Sequence, residues 1–140
     1  MTDDAEAGRQ FVDSNIVIYA YDRSAGPRHA AASTLMEALW ESQRGALSVQ
    51  VLQEFFVNAC RKIPVEEARR HVVLLRSWLT HTPESRDVVE AIDIRRDLKI
   101  SFWDAMIVRS ASVLDCDVLW TEDLNDGQRY RGVRARNPFA

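Results

Sequence analysis

The sequence is poor in cysteine, lysine, glycine and proline. Cys60 and Cys116 are the only cysteines among 140 residues. Two thiols do not make a disulfide-stapled scaffold, so they read as reduced core residues, and the expected compartment is the cytoplasm. No apolar run approaches the roughly 18 residues that a membrane span needs. The longest candidate, residues 11–19, is short and is interrupted by Asp13. Lysine is nearly absent, Lys62 and Lys99 being the only two, so the positive charge is carried almost entirely by arginine. The net charge of −3 argues against a general nucleic-acid coat but leaves room for a local basic patch. His29, His71 and His81 fall in no motif with a nucleophile or an acid. Each reads as a surface or helix residue, which speaks against a histidine general base. There is no internal repeat and no low-complexity linker.

What is present is ordinary for a soluble globular protein: 46% apolar and 28% charged residues. The length suits one domain, and a chain of this size buries roughly 70% of its unfolded surface. Residues 1–8 are expected to be a flexible tail, because Asp3, Asp4 and Glu6 come with no base. Residues 9–140 are expected to form the domain.

Residues 10–12 read as a first strand and 15–21 as a short helix. A second helix follows over 30–43, with Pro27 near its start and Gly45 as its stop. Residues 46–49 read as a second strand and 50–62 as a helix with Val51, Leu52, Phe55, Phe56 and Ala59 on one stripe. Pro64, Glu66 and Glu67 open a helix running to about Leu79, the acids matching its positive end. Residues 81–84 read as a break or short edge strand. Helices are expected over 85–98 and after Ser101, then a strand over 117–121, a turn at 125–127 and a last edge strand over 133–139. Four or five short strands separated by helices predict an α/β class: a mostly parallel sheet with helices on both faces, a three-layer α/β/α sandwich.

Four acids stand where strands meet helices. Asp13 follows strand one, inside an otherwise apolar run; Glu54 projects from the helix after strand two; Asp104 lies in the first turn after Ser101; and Asp123 follows the strand 117–121. In a parallel sheet these points gather along one edge, so the carboxylates are able to converge. Two unit charges about 4 Å apart repel by roughly 4 kcal/mol at an effective dielectric of 20, so convergence calls for a cation. Hard oxygen donors favour Mg²⁺ or Mn²⁺, which polarises a phosphodiester and activates water. Each acid also has a structural explanation. Asp13 suits a helix cap, Glu54 a solvated helix face with Gln50 and Asn58, Asp104 a capping box with Ser101, and Asp123 an acidic turn.

Together the stretches Val12-Asp13-Ser14-Asn15, 48–56 with Glu54, 101–108 with Asp104 and 119–123 with Asp123 resemble the PIN-domain family, over residues 10–139. The look is most similar to bacterial VapC-type toxins of toxin–antitoxin pairs. The resemblance implies a PIN-like fold and a Mg²⁺- or Mn²⁺-dependent endoribonuclease. Asp13 and Asp104 match the most regular metal ligands, Glu54 and Asp123 complete the cluster, and Asn15 and Thr121 match positions that orient ligands or water. It also implies an RNA substrate, a cognate antitoxin and a homodimer.

An acidic pocket repels RNA, so cations must come from nearby. Arg61, Lys62, Arg129, Arg131, Arg134 and Arg136 are the candidates, with Tyr130 among them able to stack on a base. The same arginines also suit a solvated face or a protein partner. Two rival functions remain. A phosphotransfer domain would also carry an Asp after strand one, but Asp13-Ser14-Asn15 lacks a second Asp and the lysines are misplaced. A catalytically silent PIN-like binding module is expected to have lost acids, and none is lost here.

Overall fold

The structure is a computed structural model that describes residues 8–140. All of the expected acidic tail except Gly8 lies outside the described residues. The strands are β1 Gln10–Val12, β2 Gly45–Ser48, β3 Leu79–His81, β4 Val118–Trp120, β5 Arg129–Tyr130 and β6 Val133–Arg136. The helices are α1 Ser14–Tyr21, α2 Pro27–Ser42, α3 Val49–Ala59, α4 Val65–Leu75, α5 Ser85–Leu98 and α6 Phe102–Val113.

The strands form one sheet in the order β3-β2-β1-β4-β6-β5. Every neighbouring pair is parallel except the β5–β6 hairpin. The chain moves outward from β1 through β2 to β3, then returns to the other side of β1 as β4. Such a reversal opens a crevice at the carboxyl ends of the strands, the usual binding edge of an α/β sheet. Helix α1 packs on α2 and α3, and α3 on α4; α5 and α6 pack together, with α6 over β2, β4 and β6. The core runs along the sheet: β1, β2 and β4 are buried at every residue, as a parallel sheet covered on both faces requires. No helix among the described residues is long and apolar enough to cross a membrane.

The expected three layers are observed, but the sheet has six strands rather than four or five. Arg131 and Gly132 take positive φ (49° and 85°), folding β5 back antiparallel on β6. Strand β6 is therefore interior, between β4 and β5, and the edge is β5. The helix expected to reach Leu79 stops at Leu75. Trp78 N donates to Leu75 O (3.0 Å), closing a turn that swings the Trp78 ring into the core. Leu79 to His81 then pair with β2. Gly45 does not terminate α2. That helix ends with Gln43 in the left-handed region (φ 59°), its amide donating to Leu39 O. Gly45 opens β2 instead, because the Trp78 ring fills the space its Cβ would take.

His29 and His71 lie on helices, but His81 is a buried strand residue. Its Nδ1 meets Ser110 Oγ at 2.8 Å and its Nε2 lies 3.4 Å from Asp87 Oδ2. Asp87 also accepts from Arg109 Nε (2.8 Å) and the Glu84 amide (2.7 Å). This network ties β3 to the start of α5 and to α6. Burial pushes the Asp87 carboxyl up, but the Glu84 amide, Arg109 and His81 outweigh it and hold it below its ordinary value. Burial, with Arg109 adding, pushes His81 down against the pull of Asp87. Both groups therefore bind protons less tightly when folded, so their contributions are complete above the unfolded pKa values and are lost as pH falls. Stability is expected to begin falling below about pH 6.5 as unfolded His81 takes up a proton, and to fall further as Asp87 protonates. Asp87→Ala should cost roughly 2–4 kcal/mol by urea denaturation at neutral pH, because it strips an acceptor from the half-buried Arg109, the His81 ring and the amide that caps α5.

Candidate metal centre

The acids are placed by sheet register. Val12 pairs with Trp120, so Asp13 and Thr121 stand side by side one residue past the strand ends. The Asp13 amide continues the ladder by donating to Trp120 O (3.0 Å), and Thr121 N donates to Arg136 O (2.9 Å). Thr121 Oγ1 donates to Asp13 Oδ2 at 2.9 Å and accepts the Asp123 amide at 3.1 Å. One buried hydroxyl thus links Asp13 to the loop that carries Asp123.

Asp13 is also the N-cap of α1, its Oδ1 accepting the Ser14 amide at 2.7 Å. Asp104 enters from the opposite layer. Ser101 caps α6 and accepts the Asp104 amide at 3.0 Å, which is the first half of the expected capping box. The Asp104 carboxylate turns toward Asp13 and Asp123 instead of closing the box. Each of these three residues offers a carboxylate oxygen, and the three oxygens lie within 4.8 Å of one another.

Glu54 is not the fourth member of that trio. It lines the same cavity of about 180 Å³, but its oxygens are engaged by neighbours. Ser14 Oγ donates to Oε1 at 2.9 Å, and Gln50 Nε2 reaches Oε2 at 3.5 Å. Asn15 Nδ2 reaches Asp123 Oδ2 at 3.4 Å. The sequence alone does not mark Ser14 and Gln50 as partners that hold the Glu54 carboxylate. The available signals were Ser14 lying between Asp13 and Asn15, and Gln50 lying one helical turn before Glu54.

The electrostatics of the cavity disfavour ionised carboxylates. Burial is the main force raising the Asp13 carboxyl to about 7; the Thr121 and Ser14 hydrogen bonds oppose it, and Asp123 and Asp104 add repulsion. Asp123 is raised too, by burial and then by Asp104, Glu122 and Glu54. Among the described residues no lysine or arginine lines this cavity. Three hard oxygen donors with no protein cation among them fit a divalent ion of the Mg²⁺ or Mn²⁺ kind.

The cationic candidates are scattered. Arg61 and Lys62 line a larger cleft of about 650 Å³ that shares Asn58 with the acidic cavity, and Lys62 Nζ is bonded to Asp22 (2.8 Å). Arg129 is exposed on the edge strand. Arg131 sits at the hairpin tip, near the end of α6, and is paired with Asp97 at 2.9 Å. That is the sheet edge away from the acids. Arg134 donates to Gly127 O, and Arg136 lies over the Trp120 ring. Tyr130 is not available for stacking: it is 2% exposed and its hydroxyl accepts the Asn125 amide. Its alternation on β5 turns it inward.

These features define a class: an α/β/α domain with a carboxylate cluster at the switch point of its sheet. The PIN domain family matches residues 11–130, and the chain belongs to that family. No curated protein sequence matches it. Among solved structures it is similar to a toxin–antitoxin complex from Klebsiella pneumoniae (21% identity, TM-score 0.70, covering 92% of this chain and 97% of that one). It is also similar to DNA-bound VapBC from Salmonella typhimurium (20%, TM-score 0.67, 94% and 98%). A third is VapC20 from Mycobacterium tuberculosis, described as a sarcin-ricin loop cleaving toxin (19%, TM-score 0.62, 89% and 98%). At these identities the likeness establishes the shared fold.

The raised Asp13 carboxyl has a consequence for stability. A group whose pKa rises on folding stabilises the fold below its unfolded value and loses that contribution as pH climbs through the folded one. Without metal, ionised Asp13 is therefore a liability at pH 8. Asp13→Asn, which keeps the cap acceptor, should raise the metal-free melting temperature at pH 8 by several degrees, corresponding to about 1–2 kcal/mol. The gain should shrink at pH 5, and Mn²⁺ should stabilise the wild type more than the variant.

Proposed function

We propose that this protein is a divalent-metal-dependent endoribonuclease and the toxin of a type II toxin–antitoxin pair. The observation that carries the reading is the approach of Asp13, Asp104 and Asp123 to within 4.8 Å in a cavity lined by no protein cation. A bound Mg²⁺ or Mn²⁺ would polarise the phosphodiester, lower the pKa of a water and neutralise charge on the leaving oxygen. The chain's residues hold and aim the reactants. Asp13, Asp104 and Asp123 would supply the ligand oxygens. Asn15 fixes the Asp123 carboxylate and Thr121 the Asp13 carboxylate. Glu54, steadied by Ser14 and Gln50, would accept a hydrogen bond from the attacking water. Hydrolysis forms one bond from water oxygen to phosphorus and breaks one ester bond, leaving a phosphate end and a hydroxyl end.

Arg61 is the best-placed of the proposed RNA contacts, since its cleft adjoins the acidic cavity. Lys62 would have to exchange Asp22 for a phosphate. The partner assignment is supported by structural neighbours described as a toxin–antitoxin complex and as VapBC. Homodimer formation belongs to the same reading, with exposed Val57, Val73 and Leu74 on α3 and α4 as apolar surface available to it. The silent-module alternative has no feature of the site in its favour, because a binding domain gains nothing from a raised, buried carboxyl.

Cleavage of labelled RNA should require Mg²⁺ or Mn²⁺ and stop with a chelator. Asp13→Asn and Asp104→Asn should each lower the rate by roughly 100-fold or more, and Ser14→Ala, one bond further out, by roughly tenfold. Wild-type rates in the two aspartate variants would refute the nuclease assignment.

A further inference from the structure

Trp103 is 63% exposed, yet it lines the acidic cavity. The apolar face of α6 does not use it; the helix buries Ala105, Met106, Ile107, Val108 and Ala111. The indole has one aromatic neighbour, and its backbone is tied to α3. Phe102 packs edge-on against it, with centroids 5.1 Å apart at 74°. The Trp103 carbonyl accepts from Gln50 Nε2 at 3.4 Å, the same amide that reaches Glu54. Trp103 also directly precedes Asp104, so ring and ligand carboxylate ride on one helical turn.

The cavity is small. Its volume of about 180 Å³ falls below the roughly 300–1,000 Å³ of pockets that enclose whole organic ligands. A phosphate fits there, but a nucleotide does not fit with it. The base attached to a phosphate in this cavity must lie on the rim. Among the described residues, Trp103 is the one aromatic side chain lining it.

We infer, building on the ribonuclease reading above, that Trp103 is a stacking platform for the unpaired base of the nucleotide next to the cleaved phosphate. A π face accepts any base, and an indole supplies a large contact area with only two side-chain torsions to fix. Base-paired RNA keeps its bases stacked inside the helix and cannot offer one to the ring. Trp103 would thus set where along a single strand the phosphate enters the acidic cavity, while taking no part in the chemistry.

The test separates binding from cleavage. Affinity for a short fluorescent single-stranded RNA is measured by anisotropy on the Asp13→Asn protein, with and without Trp103→Ala or Trp103→Phe. The probe is used intact and with one abasic nucleotide placed at each position in turn. Trp103→Ala should weaken binding about tenfold, and Trp103→Phe should recover most of it. One abasic position should weaken binding to the Trp103 protein but cost nothing further in Trp103→Ala. In otherwise wild-type protein the alanine change should raise KM and leave kcat and Mn²⁺ affinity unaltered. Equal losses on intact and abasic RNA, unchanged RNA affinity in Trp103→Ala, or a loss confined to binding a partner protein would overturn the assignment. If the wild type cleaves no RNA but the base-dependent loss persists, the nuclease reading fails and the stacking platform stands.

Discussion

The burial of one carboxylate, Asp13, constrains most of what surrounds it. It is 5% exposed at the end of the central strand, with two further acids close enough to share an ion. Burying an ionised group is costly unless it is paired. The chain offers it the Ser14 amide and the Thr121 hydroxyl, which is partial compensation. The remainder has to come from a proton or from a cation. The site is therefore a standing electrostatic debt, the kind of local destabilisation that functional sites carry and the surrounding core offsets.

The core does this by making the cluster the meeting point of separately supported elements. Strand β1 and helix α1 hold Asp13, the loop after β4 holds Asp123, and α6 brings Asp104 from the other layer. Hydrogen bonds cross between them: Ser14 to Glu54 joins α1 to α3, Gln50 to Trp103 joins α3 to α6, and Asn15 to Asp123 joins α1 to the β4 loop. Like-charged groups are kept together because each is anchored by its own backbone and polar partners.

Much of this was legible in the chain. An acid in the apolar run Phe11-Val12-Asp13 and a Ser101-x-x-Asp104 signature are local features, and helix α5 spans residues 85–98 as expected. The errors occurred where tertiary contacts override local pattern. Trp78 looked like the next turn of a helix but is recruited to cover Gly45. Strand β6 looked like an edge until the Arg131-Gly132 turn supplied β5. Tyr130 looked like a base-stacking residue because it lies among arginines, although it faces inward.

By itself the sequence determined the alternation of strands and helices, the acids at their junctions and the caps that start α1 and α6, because these depend on neighbours a few residues away. Only the tertiary structure decided which acids share an ion-sized space, that Glu54 is held by Ser14 and Gln50 beside that trio, and that Trp103 stands exposed at the rim. Those outcomes depend on strand register and helix packing between residues up to about a hundred positions apart in the chain, from Asp13 to Asp123, and no local periodicity encodes such distances.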